Sequence, residues 1–346
     1  MKNILFAASE HGSFNMVYPV LKACVGKYGI GYIGIRPISG VGLMFQKVTG
    51  HTARLPNTQL KDFDIFVTGS TARLGTEYMI WQQAADMRKK SICILDQHKQ
   101  VRERFVRQGK RVLPDTICVM NNGARNALLK FGVDKKKVRV TGSPYLAEIL
   151  RYKSSLSDRQ KLRRRLLLRD KKVITFCTEY IVKAGQKDKH GYDEYMLLDD
   201  IIRQLNRFGS YCFRLYIKLH PNDVKALYKK YDNKTFGNIE VKVIESDPEY
   251  KLLQISDVVI GMDSIILVVS AMLGLSTISY QSVSNKKNAF IYNEVIKKNL
   301  VMSKKGFRRR LDDILAGKRR QITMMNDRAL NPIRKIMRVI KKAEDV

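Results

Sequence analysis

Residues 255–281 read ISDVVIGMDSIILVVSAMLGLSTISYQ. Val258–Gly261 is a short, β-branched apolar run without polar alternation, which predicts a strand buried on both faces. Asp263 and Ser264 stand at the start of an apolar helical stretch, Ser264–Leu273, and Gly274 supplies its C-cap. Thr277–Tyr280 returns as a second buried strand, followed by Gln281 and Ser282. Strand, helix and strand in that order form one unit of a helix-covered parallel sheet.

The same alternation extends outward in both directions. Upstream in the second half, strands are expected at Val173–Cys177, Phe213–Leu219 and Glu240–Ile244. Helices are expected at Asp193–Arg207, Asp223–Lys230 and Tyr250–Ser256. The first half repeats the pattern with strands at Ile4–Ala8, Gly31–Ile35, Ile65–Thr68, Ile92–Leu95, Thr116–Met120 and Val138–Thr141. Helical patterns lie between them at Gly75–Lys89 and Gly123–Phe131, and a basic helical segment, Asp158–Arg169, separates the halves. The expected class is α/β, with two Rossmann-like, doubly wound parallel sheets. The expected divisions are 1–155, 156–328 and a basic amphipathic helix over 329–346. In that helix Ile333, Ile336, Met337 and Ile340 share one face, suited to packing on a domain or lying on a membrane. A chain of 346 residues suits two domains of roughly 150 residues, each able to bury its own core.

The five cysteines, Cys24, Cys93, Cys118, Cys177 and Cys212, are far apart and mostly inside apolar runs. They read as buried free thiols of a reducing cytoplasm and not as a zinc site. No run approaches about 18 uninterrupted apolar residues, and MKNILFAASEHG reads as a first strand and not a leader. The formal charge of +32 is the unusual feature. It calls for an anionic partner: phosphorylated substrates, an anionic membrane face or nucleic acid. Basic residues crowd at 159–172, 304–310 and 334–342. Nucleic acid is not the expected partner, because no helix-turn-helix or zinc signature is visible and aromatics do not interleave with the basic runs.

In open parallel sheets, ligands bind outside the carboxyl ends of the strands, so the residues just past each strand carry the chemistry. After the first strand come Glu10 and His11, a carboxylate and an imidazole suited to proton transfer. Asp96 follows the fourth strand, where it would orient His98, serve as a base toward an acceptor hydroxyl or cap the next helix. In the second half Thr178 and Glu179 follow one strand. Lys218, His220 and Pro221 end another, with ammonium and imidazole suited to a leaving phosphate. Asp263 and Ser264 open the helix whose free N–H donors suit phosphate oxygens, and Gln281 ends the last strand.

KLHPND at 218–223, with the stretch at 256–281, resembles the donor half of bacterial GT-B glycosyltransferases acting on surface polysaccharides. That group includes CDP-glycerol glycerophosphotransferases, polysialyltransferases and capsule sugar transferases. ILFAASEHGSFN and VTGSPYLAEIL also look like GT-B sequences. The resemblance places His220 and Pro221 on the family's HP motif and Ser264 on its later serine, both holding nucleotide phosphates. Many relatives carry two adjacent serines or threonines where Met262-Asp263 precede a single Ser264 here. The related UDP-N-acetylglucosamine 2-epimerases carry a Ser-Gly-Gly turn there, and its lack argues against their chemistry.

The resemblance implies transfer of a sugar or polyol phosphate from a nucleotide-activated donor to an anionic glycan or lipid-linked acceptor. His11, Glu10 or Asp96 would serve as base, with no metal and no separate cofactor. The expected location is the cytoplasm, with a peripheral place at the inner membrane face. The alternatives are an epimerase or nucleotide-sugar hydrolase of the same fold, and a basic nucleic-acid-binding protein.

Overall fold

The computed structural model describes residues 1–34, 43–47, 60–72, 75–97, 100–151, 156–179, 181, 191–220, 223–245, 249–282, 294–318 and 331–345. The chain forms two compact units, Met1–Glu148 with Asn326–Val346, and Ile149–Met325.

The first unit contains β1 (Asn3–Ala8), α1 (His11–Cys24), β2 (Gly29–Gly34), β3 (Leu43–Lys47), β4 (Ile65–Thr68), α2 (Thr76–Asp86), β5 (Lys90–Ile94), α3 (Val101–Phe105) and a hairpin of β6 (Val106–Arg107) and β7 (Lys110–Arg111). β8 (Thr116–Val119), α4 (Asn122–Lys130), β9 (Val138–Val140) and α5 (Pro144–Leu150, which reaches the division) follow. Among the described residues, seven strands form one parallel sheet in the order β3-β2-β1-β4-β5-β8-β9. β1 and β4 at its centre are buried on both faces, because Ile4, Phe6, Ile65 and Val67 serve one core and Leu5, Ala7 and Phe66 another.

The second unit contains α6 (Leu156–Arg165), β10 (Lys171–Cys177), α7 (Glu194–Leu205), β11 (Cys212–Lys218), β12 (Thr235–Phe236), β13 (Ile239–Ile244), α8 (Glu249–Ile255) and β14 (Val258–Gly261). It continues with α9 (Ile265–Met272), β15 (Ser276–Tyr280), α10 (Glu294–Asn299), β16 (Leu300–Val301) and α11 (Lys304–Leu315). The order is β12-β13-β11-β10-β14-β15-β16, parallel except for β12. In α7, Leu197, Leu198, Ile201, Ile202 and Leu205 recur at helical spacing into the core. Asp193 caps that helix by accepting the Met196 N–H at 2.7 Å.

Both sheets reverse direction of build-out beside their first strand, between β1 and β4 and between β10 and β14. These are the switch points at which doubly wound sheets take ligands.

The last helix, α12 (Pro332–Glu344), belongs to the first unit. Ile336 and Ile340 are buried in the same core as α1, and the Cys24 and Met337 sulfurs lie 3.5 Å apart. Its apolar face is therefore used inside the protein. Among the described residues no helix is long and apolar enough to cross a membrane.

Three expectations change. The stretch Asp223–Lys230 is not an α-helix but one 3₁₀ turn, Lys225–Tyr228, because Val224 offers no capping side chain and Tyr228 folds back onto Asp223. β3 and the β6–β7 hairpin add strands that the sequence reading lacks. Cys212 is exposed at the start of β11, whereas the other four thiols are buried; burial pushes the Cys118 thiol up to about 12.

Candidate functional site

In the first unit the carboxyl ends of β1, β4 and β5 bring three loops together. Glu10 occupies the N-cap position of α1 in extended geometry, and its carbonyl accepts the Phe14 N–H at 2.8 Å. Its side chain makes no capping bond. His11 is the first helical residue and is partly exposed.

Glu77, in the first turn of α2, is fully buried and holds this loop from below. Its Oε1 accepts the Ser9 N–H at 2.9 Å and the Ser13 hydroxyl at 3.1 Å, and its Oε2 has no hydrogen-bond partner among the described residues. Burial raises the Glu77 pKa, outweighing the donors from Ser9 and Ser13. A raised folded-state pKa means stability that is complete below the ordinary glutamate value and lost as pH rises through the folded value. The melting-temperature advantage of wild type over Glu77→Gln should therefore shrink as pH rises above the ordinary glutamate range. A pH-independent difference would show that Glu77 titrates alike in both states.

Asp96 lies where the sequence placed it, past β5, but in the role of an anchor. Its Oδ1 accepts from Arg104 Nη1 at 2.7 Å and from the Ser70 hydroxyl at 3.0 Å. A Cβ on Gly12 would stand 3.0 Å from Asp96 Oδ2, so this carboxylate sits against the first turn of α1, where a negative charge complements the helix dipole. Arg104 is 1% exposed and also donates to the Ser70 carbonyl at 3.0 Å. His98, considered as a partner of Asp96, lies outside the described residues.

In the second unit, β11 and β10 end in one network. The His220 N–H donates to Thr178 Oγ1 at 2.8 Å, and the Thr178 hydroxyl donates to Asp223 Oδ2 at 2.5 Å. The Tyr228 hydroxyl also donates to that oxygen, at 3.1 Å. Thr178 and Asp223 are both buried. The turn carrying His220 is thus fixed by side chains from two strands' ends. Pro221 lies outside the described residues.

Across the switch point, Glu179 Oε1 accepts the Asp263 N–H. Ser264 is the N-cap of α9 and accepts the Ile266 N–H at 3.3 Å. The Tyr192 hydroxyl lies near both carboxylates; burial first, then the charges of Glu179 and Asp263, push its pKa up, so it remains a neutral donor.

Two predicted ligand contacts turn inward instead. Lys218 is buried and donates to the carbonyls of Leu219 at 3.0 Å and Glu245 at 3.3 Å. Gln281 is fully buried, with Nε2 donating to the Met262 carbonyl at 3.0 Å and to Ser279 Oγ at 3.1 Å. Both brace the loops that carry His220 and Asp263, because buried backbone carbonyls must be satisfied.

No family model and no curated protein sequence matches the chain. Solved structures do. UDP-GlcNAc 2-epimerase from Neisseria meningitidis, bound to UDP-GlcNAc, aligns with a TM-score of 0.68 at 12% identity, over 99% of this chain and 100% of that one. The Methanocaldococcus jannaschii UDP-GlcNAc 2-epimerase, in complex with UDP-GlcNAc and UDP, gives 0.63 at 12% identity over 99% and 100%. Anabaena HepE, in complex with UDP and glucose, gives 0.60 at 10% identity over 100% of both chains. The fold is GT-B.

This agrees with the fold implied by the motif resemblance. It does not extend to the surface-polysaccharide transferases of the HP-motif group. Lack of a Ser-Gly-Gly turn also does not separate the chain in fold from the 2-epimerases, since their structures align with it over nearly its full length. Among the described residues of the first unit, Glu77 and Arg104 are the buried charges that sequence reading missed. The available signal was a carboxylate directly after Gly75-Thr76 and an arginine within the apolar pair Val101 and Phe105.

Proposed function

We propose that the chain is an enzyme acting on a nucleotide-activated sugar, held at the carboxyl edge of the second unit's sheet. The carrying observation is the fixed constellation at the β10/β14 switch point, where Thr178 and Asp223 hold the His220 turn and Glu179 holds the loop leading into α9. The neighbours solved with UDP-GlcNAc, UDP or glucose support this assignment. Glu179 and Asp263 are acceptor-only groups, suited to sugar or ribose hydroxyls and unsuited to phosphate. The diphosphate is assigned to His220 and the α9 N-terminus, where imidazole and helix dipole meet the charge that develops as the sugar–phosphate bond breaks.

The neighbours named as 2-epimerases favour a reaction on one substrate, an epimerisation; hydrolysis is its one-substrate variant. Transfer to an acceptor is the second reading, supported by KLHPND and SDVVIGMDS, and in it His11 or Glu10 is the base. An NMR time course with UDP-GlcNAc alone separates them. Change at the sugar without an acceptor supports the first reading. Release of UDP only after acceptor is added supports the second. Neither binding nor turnover across CMP-, CDP-, UDP-, GDP- and ADP-sugars would overturn both.

A further inference from the structure

We propose that the turn at the end of α6 docks on an anionic lipid surface, with Leu166 and Leu167 entering the headgroup layer and the arginines around them holding lipid phosphates. The proposal is independent of the catalytic reading.

The sequence here is KLRRRLLLRDKK, residues 161–172. The helix closes in a Schellman arrangement: the Leu168 N–H donates to the Arg163 carbonyl at 2.9 Å and the Leu167 N–H to the Arg164 carbonyl at 3.1 Å. Leu167 therefore sits at the position that favours glycine, and its φ is 56°. A leucine is strained there because its Cβ crowds the backbone. It is also 81% exposed, and Leu166 is 44% exposed. Neither stability nor solubility asks for an apolar side chain held out in this way. Leu168, by contrast, is buried in the core.

The surrounding charge is sorted. Arg159 and Arg163 are held by Asp257 Oδ1, each at 2.8 Å, and Lys171 by Glu240 at 2.5 Å. Among the described residues Lys161, Arg164, Arg165 and Arg169 make no ion pair, and all four are exposed. Arg164 and Arg169 line, with Arg163 and Gln160, a cavity of about 260 Å³. Cations around an aliphatic tip are the two signals that a peripheral membrane contact needs. Single-stranded nucleic acid would call for aromatic stacking platforms, and the tip has none. The C-terminal helix does not compete for this role, because its apolar face is consumed by α1.

The test is co-sedimentation of the full chain with phosphatidylcholine vesicles, with and without phosphatidylglycerol. Wild type should partition only onto the anionic vesicles. Arg164→Ala with Arg169→Ala should lower the partition coefficient by roughly 25-fold, about fivefold for each cation removed. Leu167→Gly should lower it several-fold while the melting temperature holds or rises, since glycine relieves the left-handed backbone. That combination separates a lost contact from a lost fold. Failure of wild type to sediment with the phosphatidylglycerol vesicles would overturn the proposal. So would undiminished partition of either variant.

Discussion

Thr178→Val should cripple the second-unit site while keeping the shape of the side chain. The hydroxyl removed accepts the His220 N–H and donates to Asp223. Valine leaves that N–H without its acceptor, a cost of about 1–3 kcal/mol, and takes one donor from a buried carboxylate, a loss of about 1.5–3 kcal/mol. Tyr228 still donates to Asp223, so the combined loss should be about 3 kcal/mol, within what single substitutions in a buried network cause. The effect on turnover should exceed the effect on folding. The His220 turn loses its tie to β10, and a small misplacement of a reacting group costs on the order of 100-fold in rate. Thr178→Ser keeps both bonds and should restore turnover. Measured with a nucleotide sugar at a temperature where all three proteins are folded, wild-type turnover in Thr178→Val would reduce the network to a structural role. His220→Ala should lose nucleotide release to a similar extent.

The parts of the fold that sequence displays are those where one residue's environment is set by its own strand. Val258–Gly261 and Ile65–Thr68 are continuous apolar runs, and their burial on both faces follows from that alone. β3, LMFQK, mixes polar and apolar residues without a clear period, and the β6–β7 hairpin is two residues a side with basic character, so neither announces itself. The same division applies to the sites. That Thr178, His220, Asp263 and Ser264 stand at strand ends follows from element boundaries. The direction of Lys218 and Gln281 does not, because it depends on which carbonyls of neighbouring loops need donors. Glu77 and Arg104 are harder still. Each is buried because residues distant in sequence close over it: Ser9 and Ser13 on one, Ser70 and Asp96 on the other.

Gly69→Ala should destabilise the first unit by driving a methyl group into the start of α1. A Cβ at Gly69 would lie 2.0 Å from Ser13 Oγ, 2.7 Å from Ser13 Cβ and 2.9 Å from Ser13 Cα. A flexible side-chain tip could move aside, but the last of these atoms is backbone, at the first turn of α1. Relief requires the helix start to shift off the end of β4, and overpacking of that kind costs about 1–3 kcal/mol. The shift also withdraws the Ser13 hydroxyl from Glu77, which is fully buried and, among the described residues, has Ser9 as the other donor to that oxygen. Losing one donor to a buried acid adds about 1 kcal/mol. The sum, about 3 kcal/mol, corresponds to a fall of roughly 6–12 °C in the melting transition of a unit this size. Gly209→Ala is the control, because nothing lies within 4 Å of its Cβ position, and it should leave the transition unmoved. Ser13→Gly in the Gly69→Ala background removes the serine Oγ and Cβ but leaves the backbone of residue 13 in the way, so it should recover only part of the loss. Full recovery would place the clash in the serine side chain alone. No loss in Gly69→Ala would mean that α1 is free to slide over β4, and the close approach would then not be what holds Glu10 and His11 at the sheet edge.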